Sequence, residues 1–152
     1  MLLETGFAQI TQALLWPVLV LVALGFVYAL WTAGVTLMDA VLRRRGRRLL
    51  QASPECRLEQ LELQILRQLE PARLLGRVSP LLGLIATMVP LGPALQQVAA
   101  GQGHQALAVF GSAFSGVVLA MTAAAIALVV YSVRRRWLLA ELLDIKKERG
   151  WA

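Results

Sequence analysis

Three long apolar stretches dominate the pattern of hydrophobic and polar positions along the chain. Residues 13–38 and 106–133 lack charged side chains, and each stretch exceeds the roughly 20 residues that cross a bilayer core. Residues 78–95 also lack charge, although three prolines interrupt them. The pattern predicts an all-α, polytopic membrane protein in which a single membrane domain fills the chain. Its three transmembrane helices are predicted at about residues 13–38, 78–98 and 106–133.

Two amphipathic stripes outside these spans predict helical extensions. Ser53, Pro54 and Glu55 have the order of N-cap, first-turn proline and acid that is typical of a helix start. Pro71 predicts a break or a kink. The apolar positions of the two stripes, at helical spacing, are Leu58, Leu61, Ile65, Leu66 and Leu69, and Leu138, Leu139, Leu142, Leu143 and Ile145. The stripes could pack on each other or bundle with copies from neighbouring subunits, and the sequence leaves both arrangements open.

The basic residues predict the orientation of the spans. All 15 Lys and Arg residues lie within 43–77 and 134–149. Because cytoplasmic flanks collect Lys and Arg, we predict that segments 39–77 and 134–152 are cytoplasmic and that the N-terminus lies outside. Juxtamembrane arginines determine topology and contact anionic lipid headgroups, and we favour this role over binding of nucleic acid. They are Arg43, Arg44, Arg45, Arg47, Arg48, Arg134, Arg135 and Arg136.

The composition argues against a soluble enzyme. Hydrophobic residues make up 58% of the chain and charged residues 16%, whereas a soluble domain has about 25% charged residues. Cys56 is the single cysteine, which excludes an internal disulfide and a Cys-rich zinc site. His104 is the single histidine, which leaves no cluster for a metal or a catalytic triad. We therefore predict no enzymatic activity, no cofactor and no metal.

Spans two and three carry the unusual chemistry. Pro90 frees the carbonyl of Ala86 from its helical hydrogen bond, and Thr87 lies beside that position. Small and hydroxyl residues of span three at helical spacing permit close helix packing; these are Gly111, Ser112, Ser115, Gly116, Leu119 and Ala123. No Asp, Glu, His, Lys or Arg occurs in 78–103 or 105–133. Charged groups inside a span mark proton pathways, so this chain cannot relay protons through its own side chains. If protons move here, a partner must supply the carboxylate.

Several segments resemble the MotA/TolQ/ExbB proton-channel family. Residues 80–87 read PLLGLIAT, which is similar to the family's PLLGLLGT at the start of its second channel helix. Residues 88–95, MVPLGPAL, resemble the continuation found in short members. Residues 113–131, followed by Arg-Arg-Arg-Trp at 134–137, are similar to the last helix and its basic exit. The resemblance covers roughly residues 72–140, and it agrees with the predicted number and orientation of spans.

The resemblance implies a motor subunit of the bacterial inner membrane. In the family, a homopentameric ring of such subunits surrounds single-span partners of the ExbD/TolR/MotB type, and proton flow past a partner aspartate drives import or other envelope work. The family threonine of the second helix corresponds to Thr87. Pore-lining roles are implied for Thr87, Pro90, Ser112 and Ser115, and helix-packing roles are predicted for Gly83, Gly111 and Gly116.

The last helix departs from the family pattern. Where the family usually has a threonine-containing run, this chain has Ser115-Gly116-Val117-Val118, so Ser115 is the one hydroxyl there. A ring tolerates this change more easily than proton conduction does. A non-conducting membrane scaffold that assembles a partner protein therefore stays open as the alternative function.

Overall fold

The computed structural model describes residues 2–45, 58–148 and 150. This part of the chain forms three helices, α1 (Leu2–Arg44), α2 (Leu58–Ala99) and α3 (Gly103–Glu148). Each helix is long and apolar enough to cross a membrane, which confirms the predicted all-helical fold with three candidate spans. The predicted cap at Ser53 lies outside the described residues, as do Arg47 and Arg48.

Helix α1 packs against the other two helices along one narrow stripe. Its buried positions recur at spacings of three, four or seven residues: Val18, Val22, Ala29, Thr32 and Thr36. This spacing is typical of helices that cross at a small angle with left-handed packing. Large side chains on its other faces, among them Trp16 and Trp31, are exposed, as expected of a helix with lipid around it.

Helices α2 and α3 form the most extensive contact of the fold. Small residues line it on both sides, again at spacings of three and four: Ala72, Gly76, Ser79, Gly83 and Ala86 on α2, and Ala113, Gly116, Ala120, Ala123 and Ala127 on α3. Small residues let two helix backbones approach closely, which is how helices associate in a membrane where apolar burial gives little driving force.

At their basic ends, α2 and α3 continue as a packed helical pair. Six buried aliphatic side chains form its core, namely Leu61, Ile65, Leu69, Leu138, Leu142 and Ile145. Lys146 adds an ion pair with Glu62, with 3.5 Å between the ammonium nitrogen and the carboxylate oxygen. The two amphipathic stripes of the sequence therefore pack on each other within one chain. Leu66 and Leu143, from the same stripes, remain exposed.

Of the predicted break or kink at Pro71, the break does not occur, because α2 continues through this residue. Proline removes one backbone hydrogen bond and crowds the preceding turn. Pro71 itself is exposed, so water can satisfy the carbonyl that loses its donor. Leu69 and Ala72 on either side are buried, and their burial keeps this turn helical.

A glycine-dependent turn joins α2 to α3. The amide of Gln102 donates to the carbonyl of Gln97 at 2.9 Å, and the amide of Gly101 donates to that of Val98 at 3.0 Å. This pair of bonds is the Schellman pattern, which requires a left-handed residue after the helix. Gly101 supplies it with a φ of 77°. The tight turn sets α2 and α3 antiparallel, with residues 80–95 beside 106–121.

Candidate functional site

A groove of about 580 Å³ between α2 and α3 contains Thr87. Its walls come from one face of each helix, with Leu84 and Met88 on α2 and Phe114 and Val117 on α3. The residues of α2 that pack inside the fold, Ser79 and Ala86 among them, lie on the opposite side of that helix by their spacing. The groove therefore opens away from α1 and presents Thr87 as a hydroxyl among apolar side chains.

The Thr87 hydroxyl is satisfied by its own helix. Its Oγ1 donates to the carbonyl of Leu84 at 2.8 Å and lies 3.4 Å from that of Gly83. A hydroxyl has one proton and two acceptor lone pairs, so this bond uses the proton and leaves the oxygen able to accept. Thr87 can receive a hydrogen bond from a water molecule or a protonated carboxyl group that enters the groove.

Ser112 and Ser115 lie on another side of α3. Both residues are exposed, and helical spacing places them roughly opposite Phe114 and Val117, which line the groove. Each hydroxyl donates to a carbonyl of its own helix, Ser112 to Val109 at 2.8 Å and Ser115 to Ser112 at 2.7 Å. Within one chain, the structure does not bring these serines together with Thr87.

Pro90 lies one turn beyond Ala86 in α2, which continues through it as a helix. Because proline has no N–H, the carbonyl of Ala86 lacks its usual helical donor. The Ala86 side chain is buried against the position of Gly116, whose added Cβ would lie 3.7 Å from the Cβ of Ala86. Since Ala86 precedes Thr87 directly in the helix, the freed carbonyl lies at the depth of Thr87.

The predicted packing glycines have different surroundings. A Cβ added at Gly83 would lie 3.0 Å from the Cβ of Ala120, and one at Gly116 would lie 3.4 Å from Leu19 of α1. Gly83 thus lies in the α2–α3 contact, and Gly116 lies where all three helices meet. An added Cβ at Gly111 would have open space. Gly76, which the sequence analysis did not single out, is tighter still, at 2.8 Å from Leu128.

Two ion pairs join α1 to α3 at the basic end. Arg134 Nη2 donates to Asp39 Oδ2 at 3.1 Å, and Arg43 Nε lies 3.9 Å from Glu141 Oε1. The Arg43 guanidinium also lies 5.4 Å from the centre of the Trp137 ring, within the range of a cation–π contact. These pairs continue the packing stripe of α1, because Asp39 and Arg43 follow Thr36 at spacings of three and four.

The remaining arginines of this region face outward. Arg44, Arg45, Arg135 and Arg136 are exposed, and among the described residues no carboxylate forms an ion pair with them. Six of the eight arginines predicted to set topology lie in the described part of the chain. Two of these six also hold α1 against α3, and four remain open to lipid headgroups or water.

Sequence reasoning missed these pairs and two buried threonines of α1. Thr32 donates its hydroxyl proton within its own helix, with Oγ1 at 3.0 Å from the carbonyls of both Tyr28 and Ala29. Thr36 donates to the carbonyl of Thr32 at 2.7 Å. Such back-bonding satisfies the hydroxyl inside a membrane helix. The spacing of three and four residues from Thr32 through Thr36 and Asp39 to Arg43 was a signal that could have placed these α1 residues on one face, but it does not identify their partners on α3.

Removal of the Arg134 guanidinium should loosen α1. In Arg134→Gln, the Asp39 carboxylate loses a charged hydrogen-bond donor while only 18% of its side chain is exposed. We expect a loss of about 1.5–3 kcal/mol in the free energy of unfolding, measured by SDS titration in mild detergent micelles. The exposed neighbour Arg135→Gln should change it by less than about 0.5 kcal/mol. Equal losses in the two variants would contradict the role of the ion pair.

The structure gives no geometry for a metal site. Among the described residues, no three His, Cys, Asp or Glu side chains lie close enough to hold an ion. No protein-family model, curated protein or solved structure matches the chain. The case for function therefore rests on the groove with Thr87, the closely packed α2 and α3, and the local sequence resemblance.

Proposed function

We propose that the chain is the proton-channel subunit of an ion-driven motor in the bacterial inner membrane. It forms a homo-oligomeric, pentameric ring around a single-span partner of the ExbD/TolR/MotB type, with its N-terminus outside and its basic ends in the cytoplasm. Proton flow past an aspartate of the partner is coupled to import or other envelope work. The sequence resemblance at residues 80–95 and 113–137 supports this assignment.

The observation that carries the proposal is the position of Thr87, a hydroxyl in a groove between two spans that lack acidic and basic side chains. Thr87 lies in the groove between α2 and α3, and no Asp, Glu, His, Lys or Arg occurs in residues 78–103 or 105–133. A proton that crosses here needs a titratable group, and this chain has none at that depth. A partner carboxylate beside Thr87 supplies it.

Thr87 has a defined role in this mechanism. Its proton is committed to the carbonyl of Leu84, so the oxygen faces the groove as an acceptor. It accepts a hydrogen bond from the partner's carboxyl group when that group is protonated, or from a water molecule that bridges to the carboxylate. This acceptor orders water on one side of the titrating group.

Thr87→Val should slow proton flux through the assembled complex. Valine keeps the shape of threonine but removes the hydrogen-bond acceptor. A hydrogen bond to a charged or titrating group contributes about 1.5–3 kcal/mol, and its loss corresponds to about a tenfold or greater decrease in rate. The measurement is proton uptake into liposomes that contain the chain and its partner. Ser115→Ala should have a smaller effect, since Ser115 lies outside the groove.

Thr122→Val is the matched control for this test. Thr122 is an exposed threonine of α3 whose hydroxyl donates to the carbonyl of Val118 at 2.7 Å. The substitution therefore removes the same hydroxyl group, bonded in the same way to its own helix, from a position outside the groove. It should leave proton flux unchanged within about twofold. If Thr87→Val and Thr122→Val had equal effects, Thr87 would have no special place in the proton path.

The alternative is a non-conducting scaffold that assembles a partner protein. One observation favours it: the hydroxyls of Thr87, Ser112 and Ser115 all donate within their own helices, as hydroxyls that serve packing alone would do. A scaffold would bind the partner equally well with Thr87→Val, and the complex would show no proton flux above that of empty liposomes.

A further inference from the structure

A second groove, of about 530 Å³, runs between α1 and α3 at their basic ends. Its walls are apolar, with Ala33, Leu37 and Ala40 on α1 and Ile126 and Val133 on α3, and Trp137 lies at its basic end. We propose that this groove binds one acyl chain of an anionic phospholipid, whose headgroup phosphate is held by Arg44 and Arg136. The proposal goes beyond the motor function, because it needs neither a ring nor proton flow.

The length of the groove suits one lipid chain. Its residues on α3 extend from Ala125 to Trp137, which at 1.5 Å per residue is about 18 Å. One leaflet contributes about half of the roughly 30 Å hydrocarbon core. The groove therefore covers one leaflet, from its polar surface to the middle of the membrane. Trp137 at the polar end fits the preference of tryptophan for the headgroup level.

Two arginines stand at the polar end of this groove. Arg44 follows Ala40 by four residues, which places it on the groove face of α1, and Arg136 follows Val133 by three on α3. Both are exposed, and neither pairs with a carboxylate in the described part of the chain. Arg43 and Arg134, by contrast, are already engaged by Glu141 and Asp39.

The charge at this end favours a lipid over a second protein copy. Another copy that docked here would bring its own arginines toward Arg44 and Arg136, and like charges in contact are unfavourable. An anionic phospholipid complements both ends of this groove. Its acyl chain packs against the apolar walls, and its phosphate accepts bidentate hydrogen bonds from the arginines. Basic residues near the membrane surface also attract anionic lipids.

Fluorescence quenching of Trp137 tests the proposal. Trp16→Phe, Trp31→Phe and Trp151→Phe leave Trp137 as the single tryptophan of the full-length chain. This protein is reconstituted in phosphatidylcholine vesicles that contain an equal small fraction of either brominated phosphatidylglycerol or brominated phosphatidylcholine, with bromine near the ester end of the acyl chains. We expect stronger quenching by the phosphatidylglycerol, which reports a preference for the anionic lipid at this groove.

Matched arginine variants distinguish a specific lipid site from general attraction between the basic end of the protein and anionic lipids. Arg44→Gln with Arg136→Gln should reduce the preference for phosphatidylglycerol by about tenfold. Arg45→Gln with Arg135→Gln removes the same charge from exposed positions on other helix faces and should change it by less than about threefold. Equal losses in the two pairs, or equal quenching by both lipids in the parent protein, would overturn the proposal.

A variant that fills the groove tests whether the apolar walls bind the acyl chain, without a change in charge. Ala40→Leu narrows the groove beside Trp137 and should reduce quenching by brominated phosphatidylglycerol, whereas Ala23→Leu at an exposed position of α1 should not. If Trp137 in the parent protein were shielded from both brominated lipids, a protein segment would fill the groove, and the lipid assignment would be wrong.

Discussion

Gly83→Leu should separate α2 from α3 and cause a large loss of stability. Even a Cβ at this position would lie 3.0 Å from the Cβ of Ala120 and 3.6 Å from the Cα of Val117, and leucine adds three further carbons. Neither neighbour can move without its helix. We expect a loss of about 3 kcal/mol or more in the free energy of unfolding by SDS titration in micelles.

Gly92→Leu is the control, because it makes the same substitution in the same helix. Gly92 is exposed, and an added Cβ there meets no atom within 4 Å. Its replacement should be neutral or slightly stabilising, since glycine is a poor helix former. If Gly92→Leu destabilised the protein as much as Gly83→Leu, the close contact at Gly83 would not be the cause.

A compensating pair tests the same contact from the other side. Gly83→Ala alone should cost about 1–3 kcal/mol, because its methyl group meets that of Ala120. Ala120→Gly removes the opposing methyl group, so the double variant should be more stable than the sum of the two single changes predicts. Strict additivity would contradict direct contact between these positions.

The three helices could be predicted because the length of each apolar stretch and the absence of charge within it are sufficient to indicate a membrane span. Residues 13–38 and 106–133 hold no charge over more than a membrane thickness, and each lies within one long helix. Local signals were weaker guides to helix ends. Pro71 predicted a break or a kink, yet α2 continues there without a break. The burial of neighbouring Leu69 and Ala72 outweighs the loss of one hydrogen bond at an exposed turn.

The faces of α3 were harder to predict, because small residues occur all around this helix. Sequence analysis grouped a set of small and hydroxyl residues on one face. The structure divides them: Gly116 and Ala123 are buried between helices, whereas Ser112 and Ser115 are exposed. Residue size alone does not reveal which small residues meet a neighbour. The repeating three–four spacing from Ala113 to Val130 does.

The ion pairs at the basic end could not be read from local sequence. Asp39 and Arg134 are 95 positions apart, and each belongs to a basic juxtamembrane segment whose arginines have a sufficient explanation in topology. Which of them face a carboxylate depends on the rotation of α1 against α3. That rotation is fixed by the buried stripe from Val18 to Thr36, which is a property of packing.

Proton flux into liposomes, with and without a partner carboxylate, tests the central claim most directly. The chain is reconstituted alone, with a single-span, aspartate-bearing partner of the proposed type, and with that partner after its membrane aspartate is changed to asparagine. This chain holds no Asp, Glu, His, Lys or Arg from 78 to 103 or from 105 to 133, so in the proposed mechanism the partner provides the titrating carboxylate. We predict that the chain alone and the asparagine complex leak protons no faster than empty liposomes, and that the aspartate complex conducts about a hundredfold faster or more. Equal flux from the chain alone and from the aspartate complex would contradict the partner-carboxylate mechanism.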